Sequence, residues 1–256
     1  GLIHKYYQAL VASPYRPALE DKWGKQLFRL ADLQLKTFSP EIIEDLKAEN
    51  KLVSAYTKLR ASAKIMFEGE ERNLSQMEPF MEATEREMRK KAQQVYSGFF
   101  LTNEEQFDEI YDRLVKVRHQ IARKLGFKNF VELGYARLGR SDYNAEMVAG
   151  YRRQVREKLV PLATKLRQRQ ADRLQLSKLT YYDEPLTFLS GNATPKGSPE
   201  WIVEHGKRMY NELSPETSEF FAFMVESKLL DLITKKGKAG GGYTTYISKY
   251  QAPFVF

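Results

Sequence analysis

The chain has 256 residues, 42% hydrophobic and 29% charged, with 41 Lys and Arg against 33 Asp and Glu for a net charge of +8. This is ordinary globular usage, enough for one large domain or two modest ones. It excludes a disordered tail, a collagen-like fibre and a low-complexity segment. The absence of cysteine excludes disulfides, thiolate nucleophiles and Cys-ligated zinc, and is compatible with a reducing compartment.

The longest apolar runs are a few residues, so no membrane-spanning helix is expected. No charged-then-apolar leader stands at the front, and a first residue of Gly1 reads as a processed, trimmed or excised chain. The basic balance suits nucleic acid, anionic lipid or acidic peptides, and solubility alone also explains it.

Strong helix formers dominate, so the chain reads as mainly α. Ser39-Pro40-Glu41 supplies an N-cap serine, a proline at the first helical position and an acid for the helix dipole. The helix it opens is expected to reach about Ala63, with Ile42, Leu46, Val53, Tyr56 and Leu59 inward. Lys64 to Phe67 and Arg72 to Leu74 flank Glu68-Gly69-Glu70-Glu71 as a small hairpin. Another helix covers about Thr84 to Phe100.

Thr102-Asn103-Glu104-Glu105 reads as a capping box. Phe107, Ile110, Tyr111, Leu114, Ile121 and Leu125 then mark one buried face, and Gly126 sits where a left-handed C-cap is wanted. The longest helix runs from about Asn144 to Leu174, with a kink or a division expected at Pro161. Asp183 to Gly197 reads as an ordered connection. Ser198-Pro199-Glu200 and Ser214-Pro215-Glu216 repeat the helix-start signature. Tyr243 to Ile247 and Phe254 to Phe256 are β-rich and separated by a turn-length segment. No repeat of constant period is evident.

Candidate chemistry is sparse. His4, His119 and His205 are far apart in sequence, and no HxH or HExxH pair exists. Glu204-His205 offers a metal half-site or a general base, but without a second histidine one turn away it reads as a satisfied surface pair. Glu68, Glu70 and Glu71 around Gly69 could hold a hard cation, and equally suit a solvated turn. Arg140 to Arg173 carries nine basic and four acidic residues with Tyr143 and Tyr151 beside them. That pattern suits an RNA-binding helix, or a solvated helix laced with ion pairs, since the charges spread over all faces. Gly237-Lys238-Ala239-Gly240-Gly241-Gly242-Tyr243 fits no phosphate-loop register and reads as a flexible turn or a ligand-lining loop.

Several stretches carry a resemblance. They are Leu33-Gln34-Leu35-Lys36-Thr37-Phe38-Ser39-Pro40-Glu41-Ile42-Ile43, Phe67-Glu68-Gly69-Glu70-Glu71-Arg72-Asn73-Leu74 and Phe130-Val131-Glu132-Leu133-Gly134-Tyr135-Ala136-Arg137. Leu213-Ser214-Pro215-Glu216-Thr217, the run Lys235 to Tyr246 and Ala252-Pro253-Phe254-Val255-Phe256 complete the set. Together they resemble the oligoendopeptidase F branch of the thimet oligopeptidase family of zinc metallopeptidases.

The resemblance implies part of a two-lobed, neurolysin-like helical zincin fold. Residues 1–100 would belong to one lobe and residues 101–256 would begin the catalytic lobe. It also implies a parent enzyme that hydrolyses oligopeptides with zinc in the cytoplasm. The family's HExxH helix, its glutamate ligand and its tyrosine and histidine donors are missing from this sequence, so the chain looks like a central fragment. It is expected to be inactive alone, to bind no zinc, nucleic acid or membrane, and to need the missing N- and C-terminal portions as partners. No catalytic or metal residue carries over. Gly240, Gly241, Gly242, Tyr243 and Phe254 are the expected substrate-channel wall, with an edge strand near them bonding the peptide backbone. The rival reading is a non-enzymatic helical scaffold that binds peptides or RNA.

Overall fold

Each serine–proline start builds the cap its chemistry dictates. The Oγ atoms of Ser39, Ser198 and Ser214 accept from the backbone N–H groups of Glu41, Trp201 and Thr217 at 3.3, 3.3 and 3.2 Å. In the computed structural model these caps open a 3-10 turn, Pro40–Ile42, and two helices. Residues 2–194 and 196–256 are described, so Gly1 and Pro195 lie outside the described residues.

In chain order the helices are α1 Leu2–Val11, α2 Arg16–Trp23, α3 Gln26–Lys36, α4 Ile43–Ala61, α5 Glu78–Met81 and α6 Arg86–Thr102. They continue with α7 Glu104–Lys124, α8 Phe130–Arg137, α9 Ala145–Gln154, α10 Val160–Arg173, α11 Pro199–Leu213 and α12 Pro215–Glu226. Strands β1 Ile65–Phe67 and β2 Glu70–Arg72 form one antiparallel hairpin, and β3 Thr244–Ile247 and β4 Ala252–Val255 form another. The mainly α reading therefore holds.

The chain divides into two units. The first holds residues up to Tyr56 together with Asn103–Leu166, and the second holds Thr57–Thr102 and Arg167–Phe256. This grouping differs from the lobe boundary near residue 100, which refers to a complete enzyme.

In the first unit α1 and α2 pack on α3, α3 on α8, and α8 and the Pro40–Ile42 turn on α7. Ile42, Ile121, Ala122 and Leu133 form its buried centre. The buried stripe of α4 runs through Asp45, Glu49 and Leu52, whereas Val53 and Tyr56 stay 41% and 42% exposed. The inward face expected for this helix is thus corrected. The acids can turn inward because Lys124 meets Asp45 at 2.7 Å, and Arg118 and Arg137 meet Glu49 at 2.7 and 3.0 Å.

Two more expectations change on α7. Thr102 is the last residue of α6 and Asn103 takes the N-cap position, so no capping box forms. Tyr111 is exposed, while Ile121 is fully buried. Gly126 adopts φ +83° and the N–H of Phe127 donates to Ala122 O at 2.9 Å, the expected left-handed termination. Pro161 does not break its helix. A π turn at Val155–Leu159 joins α9 to α10, with Val160 N–H donating to Val155 O. The extra residue in that turn relieves the clash between the proline ring and the preceding carbonyl.

In the second unit, Glu68 and Gly69 have φ +50° and +80°, giving the β1–β2 hairpin a tight two-residue turn of the primed type. Ala63, Ile65, Phe67, Leu74, Met77 and Ala92 form the core beneath it. Asp183 is fully buried. It accepts from Arg86 at 3.0 and 2.8 Å, from Arg89 at 2.9 Å and from the Thr180 hydroxyl at 2.7 Å. Of the connection expected to be ordered, residues 183–192 are held by hydrogen bonds, and Pro195 lies outside the described residues. Asn192 bridges Thr187 N–H and Pro185 O, and Gln170 Nε2 donates to Leu186 O at 2.6 Å.

Burial opposes ionisation of Asp183, but hydrogen bonds from Arg86, Thr180 and Arg89 outweigh it and hold the carboxyl well below the usual carboxylate range. Because the folded-state pKa lies below the unfolded one, this carboxylate contributes stability that is in place at neutral pH. That stability fades as pH falls below the ordinary aspartate pKa towards the folded-state value. Asp183→Asn is expected to cost about 3–5 kcal/mol, because it leaves the buried Arg89 uncompensated. It should also remove part of the acid sensitivity. Urea unfolding at pH 7 and pH 2 checks both, and an unchanged midpoint at pH 7 contradicts the assignment.

Candidate functional site

The expected wall residues Gly240, Gly241, Gly242, Tyr243 and Phe254 all fall in the second unit, around the β3–β4 hairpin. The pairs are Thr244 with Val255, Thr245 with Phe254, Tyr246 with Pro253 and Ile247 with Ala252. Tyr243 and Phe256 exchange both backbone hydrogen bonds at 2.9 Å just beyond the strands. Antiparallel bonding alternates, so Thr245 and Ile247 also point their backbone groups at β4, and Thr244 and Tyr246 point theirs away. Pro253 stands opposite Tyr246, in a pair that needs no N–H from it.

Between the two strands expected as a peptide-binding edge, the geometry separates roles. β4 is covered on both sides at Val255, whose N–H donates to Leu229 O and whose carbonyl accepts from Asp231 N–H, at 2.9 and 2.8 Å. Among the described residues no strand pairs with the outer edge of β3. The free backbone groups are therefore those of Thr244 and Tyr246. β4 also begins two residues earlier than expected, at Ala252.

The glycine run does different work at each position. Gly241 has φ +98°, and a Cβ there would meet nothing within 4 Å. A Cβ on Gly240 would lie 2.9 Å from Ser75 Oγ, and one on Gly242 3.2 Å from Phe256 O. Gly240 and Gly242 thus permit close approach, and Gly241 permits the left-handed backbone. Gly240, Gly241, Ser75 and Lys238 line two adjoining concavities of about 240 and 300 Å³. Tyr243 is 58% exposed and stacks on Phe256 with centroids 4.9 Å apart.

Sequence reasoning missed what holds this loop. The ammonium of Lys238 is nearly buried and donates to Asp231 O at 2.6 Å and Ile233 O at 3.1 Å, beneath the Phe256 ring at 4.4 Å. Asn73 Nδ2 donates to Thr234 Oγ1 and Lys235 O at 3.1 and 3.3 Å. Lys235 meets Asp231 at 2.9 Å and Lys236 meets Glu71 at 2.9 Å, and each hydrogen bond holds its carboxylate below the usual range. A lysine placed between glycines was the available signal.

The acidic hairpin tip is accounted for by ion pairs. Glu68 meets Lys91, Glu70 meets Arg72 and Glu71 meets Lys236. The histidines stand on separate helices. His4 lies edge-on to Phe38, His119 is exposed on α7, and His205 stacks on Trp201 at 3.6 Å with Nδ1 on Trp201 O at 2.9 Å. Among the described residues no group of three or more His, Asp or Glu side chains is arranged to hold a metal ion. The donor set of this chain does not fit a zinc.

Hydrogen bonds to a charged donor contribute about 1.5–3 kcal/mol. Lys238→Met should therefore raise local opening of the 239–243 backbone by about tenfold or more. Hydrogen exchange read by mass spectrometry tests this, and unaltered exchange in that segment contradicts the role given to Lys238.

A family model for the Peptidase M3 N-terminal domain matches residues 1–38. No curated protein matches the chain. An X-ray structure of an oligoendopeptidase F superposes with a TM-score of 0.93 at 64% identity, covering 100% of this chain and 45% of that one. PZ peptidase A with an inhibitor gives 0.93 and 64%, covering 100% and 46%. An oligoendopeptidase F from Bacillus anthracis gives 0.91 and 62%, covering 99% and 46%. The chain spans under half the length of each of these structures. The likeness runs along the whole chain, at 62–64% identity, and over only a part of each of these peptidase structures.

Proposed function

We propose that the parent protein is a zinc-dependent metalloendopeptidase that hydrolyses oligopeptides, and that this chain supplies scaffold and channel wall without catalytic residues. The carrying observation is the 64% identity over the full chain to an oligoendopeptidase F structure. The absence of a metal-holding group among the described residues fits a parent whose zinc ligands come from the remainder. Residues 1–100 are assigned to one lobe and 101–256 to the start of the catalytic lobe.

The open edge of β3 supports the wall assignment. The N–H and C=O groups of Thr244 and Tyr246 can pair with an extended peptide whatever its side chains, which suits varied short substrates. Gly241, where a Cβ would meet nothing within 4 Å, leaves room for the peptide beside that edge. Phe254 lies on the partner strand and is half-buried, so it acts through the hairpin. A cytoplasmic site of action fits the lack of cysteine. Among the described residues no helix is long and apolar enough to cross a membrane. The alternative of a peptide- or RNA-binding scaffold has no comparable support.

Two measurements test the reading. Calorimetric titration of this chain with zinc should give no stoichiometric site of submicromolar affinity, and the chain should not cleave peptides, whereas the full-length protein should do both. In the full-length enzyme, Gly241→Val should sharply lower kcat/KM, with a Tm loss limited to a backbone strain of about 1–3 kcal/mol. Normal turnover in that variant would falsify the wall assignment.

A further inference from the structure

The rod formed by α9, the π turn and α10 carries an apolar stripe that nothing in the first unit covers. Met147, Tyr151, Leu159, Leu162 and Leu166 are 59, 66, 54, 53 and 53% exposed. With the half-buried Val155 they recur every three or four residues, the spacing of one helix face. The π turn keeps that face continuous. Its extra residue between Val155 and Leu159 turns Leu159 back into line with Tyr151, where an unbroken α-helix would let the stripe wind away. A concavity of about 450 Å³ lined by Arg140, Tyr143, Met147, Val148 and Tyr151 continues the face at its N-terminal end. An amphipathic helix draws most of its stability from packing that face. Left in water, an apolar patch of this kind marks an interface.

We infer that this stripe is the seat of the portion of the full-length protein that follows Phe256. The solved relatives contain more than as much polypeptide again as this chain covers. The portion before residue 2 has a nearer seat, because α1, where it joins, exposes Leu2, Ile3 and Tyr6. The stripe's flanks carry Arg152, Lys158 and Lys165 beside the ion pair of Arg156 with Glu157, a net positive margin, so the covering surface is an apolar ridge with acidic margins.

This inference rests on the chain being part of a longer oligoendopeptidase F-type protein, and its test does not read activity. Leu159→Glu with Leu166→Glu is made in the full-length protein, and Arg153→Glu on the opposite face is the control. The double variant should lower Tm by roughly 5 °C or more, and the control by about 1 °C or less. Amides of 145–166 should exchange at least about 100-fold more slowly in the full-length protein than in this chain. Equal Tm for double variant and control, or equal exchange in the two proteins, overturns the inference. A full-length dimer that the double variant splits without loss of Tm also overturns it, in favour of a second copy. A full-length protein that passes these tests but cleaves no peptide would sink the proposed activity and leave this interface standing.

Discussion

A carboxylate without solvent access persists as an ion only if fixed donors replace the water it has lost. Asp183 meets that constraint with two arginines and a threonine, and the second unit is organised around the solution. Arg89 spends its remaining donors on Ala83 O, Thr84 O and Tyr182 O, which ties the start of α6 to the chain on both sides. The irregular segment after α10 can then be ordered without strands or helices, because its carbonyls are taken up by Gln170 and Arg173. The first unit repeats the device at smaller scale, with Glu49 shared by Arg118 and Arg137 beside the Phe130 ring. Charge pairs hold both units where the apolar clusters are small.

That choice explains which parts of the fold were legible in the sequence. Caps announce themselves through local chemistry, so Ser39, Ser198, Ser214 and Gly126 could be read directly, whereas the hairpin turn is Glu68-Gly69 alone and Glu70 and Glu71, expected in the turn, belong to β2. Buried charge hides itself. On α4 the inward stripe contains Asp45 and Glu49, and a search for apolar periodicity selects Val53 and Tyr56 on a neighbouring face instead. Thr102 misled for a different reason: its residue type suits a cap, but the helix before it had not ended. The helices α1 to α3 carry no strong start signal, as the uncapped Tyr15 and Lys25 ahead of α2 and α3 show.

The candidate site was legible in outline and not in its supports. A run of glycines before a β-rich segment points to close approach, and at Gly240 and Gly242 the groups approached are the chain's own Ser75 and Phe256. Nothing local says that β4 is covered on both sides and that β3 is therefore the free edge. That follows from Leu229 to Asp231, which lie far from the strands in sequence. The same separation hides Asn73 and Glu71 as anchors of the loop.

Sequence distance has a kinetic side. The β1–β2 hairpin closes over two residues and brings Asn73 and Glu71 into place from local contacts alone. The loop they receive comes from 161 residues further along the chain. Closing so long a loop costs entropy that only the finished unit repays. The hairpin is thus a preformed receptor and the glycine loop a late arrival. A loop mounted in this way has its resting position written in the hairpin.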